Sequence, residues 1–274
     1  MNPQSRGRLL LVPNALDLGH DALPIEEVLP LAVLRRAAAV THWVVEDARS
    51  ARAFLKRVAA HAPLALPLQQ QSIQVLPRPP KGRPGAAGAG GAAGATGATG
   101  AANTKHPALD DWAALLAPAL QGHDLGLLSE AGLPAVADPG SALVGAAHRA
   151  GIAVLPLAGP SSLMLALAAS GLEGNRFAFV GYLPQDAAAR MARLRELEAH
   201  SRRAQETQIV IETPYRNQAL FASMLASLAP TTRVAVACGL TLPAGYCRMA
   251  SVADWQAAPA ALPDRVPAVF CFQA

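Results

Sequence analysis

Short apolar runs recur along this chain, each followed by a loop of small residues and then by a segment with helical spacing. Arg8-Leu9-Leu10-Leu11-Val12 reads as a buried strand stopped by Pro13. A helix is expected over Glu26–Ala38, a strand at His42–Val45 and a charged helix over Ala48–Ala60. Leu64-Ala65-Leu66, bracketed by Pro63 and Pro67, is a candidate third strand. A helix from Asp110 to Leu120 leads to a strand at Asp124–Leu128, a helix over Ser141–Ala150 closed by Gly151, and a strand at Ile152–Leu155. The next helix starts at Ser161 or Ser162 and reaches about Ser170.

Gly171–Asn175 reads as a connection between the two halves. The alternation then resumes: strand Phe177–Val180, helix Ala187–Ala199, strand Gln208–Ile211, helix Tyr215–Leu228. Three strands close the chain, at Arg233–Ala237, Tyr246–Met249 and Ala268–Phe272, with one short helix around Val252–Gln256. The expected fold is α/β in two domains. A mostly parallel sheet is expected in 1–160 and a mixed sheet in 161–274.

Composition refines this picture. The 274 residues are 52% hydrophobic but only 4% aromatic, so helices should pack closely around few large anchors. Lys81–Thr104 is almost entirely glycine, alanine and threonine and has nothing large to bury. We read a flexible insertion at about 78–107. The formal charge of +4 permits an anionic partner without requiring one.

Several classes are not expected. Cys238, Cys247 and Cys271 form no CxxC pair and read as reduced, half-buried thiols. The seven histidines show neither HxxxH nor HExxH, so no metal is expected. The longest apolar region, Ile152–Ala169, is interrupted by Pro156, Gly159 and Pro160 and makes no membrane span. The polar Met1–Arg8 and the short run after it make no signal-peptide core, so the cytoplasm is the expected location.

Two loops carry the chemistry: Ser129-Glu130-Ala131-Gly132-Leu133-Pro134-Ala135-Val136-Ala137-Asp138-Pro139-Gly140 and Leu157-Ala158-Gly159-Pro160-Ser161-Ser162. Both follow predicted strands, where an α/β sheet places its ligand crevice. Ser161-Ser162 could equally cap a helix, and Pro139-Gly140 could be a tight turn. Glu46 and Asp47 end a strand, where they could serve as a base or cap the next helix. Arg49, Arg52, Lys56 and Arg57 share one helix and could touch phosphates or form a solvated face.

Together these motifs resemble the tetrapyrrole methylase superfamily, the class III S-adenosylmethionine methyltransferases. Within it, they are similar to the bacterial small-subunit rRNA methyltransferase I group, which methylates a ribose 2′-hydroxyl of 16S rRNA. The resemblance runs through Leu10-Leu11-Val12-Pro13, Glu46-Asp47-Ala48-Arg49, the 129–140 loop, Leu157–Ser162, Gly181-Tyr182-Leu183-Pro184 and Glu212-Thr213-Pro214-Tyr215-Arg216. Six motifs in order are far more specific than one glycine pattern. The chain departs from the family pattern at Gln69-Gln70-Gln71, where a histidine-rich motif is usual, and at Glu130, where aspartate is usual.

The resemblance implies S-adenosylmethionine as cofactor, held in a cleft between the domains. It implies cofactor contacts at Pro13, Glu130, Ala131, Gly132, Val136, Ser161, Ser162, Glu212, Thr213, Gly239 and Thr241. Glu46, Asp47 and Glu212 are the candidate catalytic carboxylates, and Arg49, Tyr215 and Arg216 the candidate substrate contacts. A homodimer and an RNA substrate from the small ribosomal subunit are implied as well. Two other readings stay open: a methyltransferase for a tetrapyrrole or other small molecule, and a cofactor-binding protein without catalysis.

Overall fold

The structure is a computed structural model that describes residues 6–19, 22–77 and 109–274, with side chains from 112 onward in the last stretch. The expected insertion at about 78–107 lies outside the described residues. The chain divides into two compact units, with the division at Pro160 and Ser161.

In the first unit β1 (Arg8–Val12) is followed by α1 (Ile25–Val28), α2 (Leu31–Ala39), β2 (His42–Val45), α3 (Ala48–Ala59) and β3 (Ser72–Val75). Then come α4 (Leu109–Leu120), β4 (Leu125–Leu128), α5 (Ser141–Arg149) and β5 (Ala153–Pro156). All five strands are parallel, in the order β3-β2-β4-β1-β5. Alternate strand residues feed two cores. Leu10, Val12, Trp43 and Val45 face Leu34, Phe54 and Leu55. Leu9, Val44, Leu125 and Leu127 face Trp112, Leu116 and Leu143. Burial on both faces explains why these strands read as continuous apolar runs.

Two local expectations are corrected. The single helix over Glu26–Ala38 is two helices, because Pro30 has no N–H to donate and holds Leu29 extended. Leu64–Leu66 is not a strand; the third strand is Ser72–Val75. Prolines bound the three-residue run on both sides, and its Ala65 N–H goes to Ala38 O at 2.8 Å. The true strand hides behind polar Gln71, whose amide accepts from Trp43 Nε1 at 3.2 Å and donates to Leu66 O at 2.9 Å.

The second unit opens with α6 (Ser162–Ser170), β6 (Phe177–Tyr182), α7 (Ala187–Ala204), β7 (Thr207–Ile211) and α8 (Asn217–Ser227). It closes with β8 (Arg233–Cys238), β9 (Tyr246–Ser251), α9 (Val252–Ala257) and β10 (Ala268–Gln273). The sheet order is β6-β7-β10-β8-β9, with β6 and β7 parallel and every other pair antiparallel. A mixed second sheet is what the clustered late strands imply. Phe221, Trp255 and Phe270 pack on one face, and Leu163, Ala166 and Leu167 of α6 on the other. Gly171–Asn175 is therefore a link inside this unit, since the helix before it already packs on β8, β9 and β10.

The α8 region starts later than expected. Pro214–Arg216 is a separate 3-10 turn before the helix proper at Asn217.

Candidate functional site

The order β3-β2-β4-β1-β5 has a consequence at one edge. The chain leaves β2 toward β3 on one side and leaves β4 toward β5 on the other. Adjacent strands whose connections depart in opposite directions leave a crevice at their carboxyl ends. Glu46 follows β2 there, and Ser129-Glu130 follows β4. Backbone bonds tie the two ends, with Glu46 N donating to Leu128 O at 3.1 Å.

The loop after β4 is pinned by a residue after β1. Asn14 and Gly132 exchange backbone hydrogen bonds at 2.9 and 2.8 Å. Asn14 is buried, and its Nδ2 donates to Glu130 O at 2.9 Å and more weakly to Ser129 O at 3.4 Å. Gly132 sits at φ +72°, and a Cβ there would meet nothing nearer than Pro160 O at 3.9 Å. Open room therefore lies beside the backbone at Gly132, one of the contacts expected from the sequence. At Gly159, in contrast, a Cβ would lie 2.3 Å from Pro13 Cγ. That contact locks the β1 and β5 loops together and gives Pro13 a packing task.

Farther along the same loop Ala135 and Ala137 both adopt positive φ, at +67° and +64°. Two non-glycine residues in the left-handed region cost of order 1–2 kcal/mol each. Between them Val136, another expected cofactor contact, is 45% exposed. The loop ends at Gly140, whose φ of +130° suits glycine, and whose Cβ position is blocked by Leu127 at 2.8 Å.

The carboxylates separate into different tasks. Asp47 caps α3: its Oδ1 accepts from Arg49 N at 2.9 Å and Ser50 N at 2.8 Å. Those bonds from Ser50 above all hold its carboxyl below the ordinary range, so it is ionised and occupied. Glu46 turns inward instead, and its Oε2 accepts from Glu130 N at 3.1 Å. Beside it stands Asp138, which belongs to the Ala137-Asp138-Pro139-Gly140 motif and is not among the candidate carboxylates expected from the sequence. Burial first, then the charges of Glu46 and Glu130, push its carboxyl up to about 7. Ser129 Oγ lies against this group, buried and without a hydrogen bond of standard geometry. Asp138 lies six residues beyond Gly132, and its spacing to Glu46 along the chain carries no signal; only the return of the loop toward β2 makes the pair.

Among the candidate cations, Arg49 is exposed on α3. Arg57 is already engaged by Asp17 at 3.3 Å and Leu23 O at 2.8 Å, and Arg52 reaches Ala48 O at 3.3 Å. The four-residue basic set is thus partly structural. No group of three or more His, Cys, Asp or Glu among the described residues is arranged to hold a metal ion. No helix among them is long and apolar enough to cross a membrane.

In the second unit Ser161 occupies the N-cap of α6 but makes no side-chain cap bond, and Ser162 is exposed. Glu212 follows β7 with a buried carboxylate. Its Oε1 accepts from Thr213 N at 2.7 Å, Thr213 Oγ1 at 3.1 Å and Arg216 Nη2 at 2.8 Å. Such an occupied oxygen braces a turn and is ill suited to taking a substrate proton. Tyr215 between them is open to solvent. Gly239 and Thr241, at φ +59° and +70°, form a tight loop between β8 and β9. There Leu242 N returns to Gly239 O at 2.9 Å.

Comparison with known proteins agrees with this architecture. The family model of Tetrapyrrole (Corrin/Porphyrin) Methylases matches residues 31–246, most of the chain, and the chain belongs to that family. At 46% identity over 102 residues it is similar to a protein named Ribosomal RNA small subunit methyltransferase I from Xylella fastidiosa, covering 37% of this chain and 36% of that one. A protein of the same name from Mesorhizobium japonicum is 37% identical over 137 residues, covering 50% of this chain and 45% of the relative. The chain thus spans less than half the length of the curated relatives it matches. Among solved structures, the methyltransferase CobJ superposes with a TM-score of 0.55 at 16% identity, covering 98% of this chain and 95% of that one. A conserved hypothetical protein from Aeropyrum pernix K1 gives 0.52 at 16%, covering 98% and 85%. At such identities the superpositions establish the fold alone.

Proposed function

We propose that this chain is an S-adenosylmethionine-dependent methyltransferase acting on a ribose 2′-hydroxyl of 16S rRNA. The observation that carries the reading is the pinned 129–140 loop at the carboxyl edge of the first sheet, in a chain of the methylase family. The shared name of the matched relatives supports RNA of the small ribosomal subunit as the substrate.

The residues fit such a cofactor on two counts. Gly132 leaves free space beside its backbone, as close approach of a ligand needs. Glu46, Glu130 and Asp138 gather carboxyl groups where a cationic sulfonium and ammonium would be favoured, the cation drawing the proton from Asp138. When bound, S-adenosylmethionine supplies a methyl group already activated by its positive sulfur. The protein's part is then chiefly alignment.

In this reading the backbone of Glu130, Ala131 and Gly132 holds the donor, with Val136 packing beside it. Asn14 keeps that backbone from shifting. The Glu46–Asp138 pair accepts the proton that the attacking hydroxyl must lose. Asp47 serves as a helix cap, and Glu212 braces the turn that carries Tyr215 and Arg216. Arg49 and Lys56, both exposed on α3, are the cations offered to RNA phosphate. Ser161, Ser162, Thr213, Gly239 and Thr241 stand as cofactor contacts by resemblance. A cytoplasmic homodimer is the accompanying expectation.

The test is direct. Purified protein is incubated with methyl-labelled cofactor and small subunits that lack the modification. Label in 16S rRNA at a 2′-O-methyl nucleotide supports the reading, and RNA without label refutes it.

A further inference from the structure

Tyr215 is 71% exposed, the most open of the large apolar side chains among the described residues. Scattered surface hydrophobics are ordinary and need no explanation. This one differs because the turn that carries it is braced and a fixed guanidinium lies behind its ring. Pro214 starts the 3-10 turn with a restricted backbone. Arg216 Nε donates to Thr213 Oγ1 at 3.1 Å and Nη2 to Glu212 Oε1 at 2.8 Å. The guanidinium carbon then lies 5.5 Å from the centre of the Tyr215 ring.

Two things follow from that chain of contacts. The Arg216 charge is compensated by a buried carboxylate, which weakens it as a phosphate contact. The ring, backed by a fixed planar cation, presents a flat surface to water and gains little from its own burial. An aromatic ring open to solvent beside a braced arginine is the arrangement on which unpaired bases stack, independent of base identity.

We infer that Tyr215, backed by Arg216, is a stacking platform for a nucleobase. Two sources share this chemistry, the adenine of the cofactor and an unpaired base of the RNA substrate. The RNA source rests on the function proposed above, whereas the cofactor source can be measured without any RNA.

The experiment compares wild type with Tyr215→Ala and Tyr215→Phe in two arms. One is the calorimetric affinity for S-adenosylhomocysteine. The other is KM for unmodified small subunits at saturating methyl donor. Base stacking on an aromatic side chain predicts a loss of roughly 5- to 100-fold in one arm for Tyr215→Ala. Tyr215→Phe keeps a flat ring and stays near wild type. Thermal unfolding of both variants, expected near wild type for so exposed a position, confirms that the fold is intact.

A Tyr215→Ala protein indistinguishable from wild type in both arms overturns the platform. So does a Tyr215→Phe protein as impaired as Tyr215→Ala, since the hydroxyl and not the ring would then matter. An altered oligomeric state with both arms unchanged also overturns it and assigns the ring to an interface between copies. Wild-type protein that transfers no methyl group to RNA refutes the proposed reaction instead, and the cofactor arm alone then decides the platform.

Discussion

Asn14 and Gly132 hold each other through two backbone hydrogen bonds, 2.9 and 2.8 Å long, although 118 positions separate them in the chain. The Asn14 side chain adds a third attachment, at Glu130 O. The loop after β4 therefore takes its shape from the loop after β1.

Replacing Asn14 by alanine removes that third attachment and leaves a partly buried carbonyl without its donor. An unmet buried polar group costs about 1–3 kcal/mol. Asn14→Ala should unfold at lower urea and bind S-adenosylhomocysteine more weakly, read by denaturation and calorimetry. Unchanged affinity would detach Asn14 from cofactor binding.

Gly159→Ala tests the neighbouring loop. The added methyl would come within 2.3 Å of the Pro13 ring, and neither backbone nor ring can give that much. Overpacking of this kind costs roughly 1–3 kcal/mol. A midpoint equal to wild type would show that the two loops separate easily.

Asp138 makes stability depend on pH with a definite sign. Its folded value of about 7 lies above the ordinary 3.8, so between these limits the folded chain keeps a proton the unfolded chain has lost. This contribution is full below the unfolded value and is lost as pH rises through 7, with an upper limit of ~4 kcal/mol. Asp138→Asn should flatten the slope of stability between pH 5 and 8 and raise the midpoint at pH 8. A cation bound beside it should also expel the proton. Calorimetry near pH 7 in buffers of different ionisation heat should then show more proton release for S-adenosylmethionine than for its uncharged-sulfur product. Equal release from both would separate Asp138 from the sulfonium.

Arg216→Ala leaves the buried Glu212 carboxylate accepting from Thr213 in the turn without the guanidinium that balances its charge. Removing one member of a buried pair costs about 3–5 kcal/mol, and the partial exposure of Arg216 puts this pair at or below the lower end. Pairing the change with Glu212→Gln should recover part of that loss, because the uncompensated charge goes with it. A double variant no better than the single one would show that the charge is not what destabilises the turn.

The alternation of strand and helix was readable without coordinates because both faces of the first sheet are covered. Leu9–Val12, Val44–Val45 and Leu125–Leu128 then have no reason to carry polar residues. The second sheet was readable for another reason: three late strands without long helices between them can only pair antiparallel or nearly so. Where the reading failed, a polar side chain had been recruited inward or a proline had intervened. Gln71 satisfies Trp43 at the start of β3, and Pro30 divides α1 from α2.

The linear order of residues thus determined the elements, the class of each sheet and the family motifs, because periodicity and small-residue loops are local properties of the chain. Which carboxylate does what was decided only by tertiary structure. Asp47 and Glu46 are adjacent in sequence, yet one caps the start of a helix and the other meets Asp138 from a different loop. Burial and charge at such a meeting depend on distances through space, which no spacing along the chain encodes.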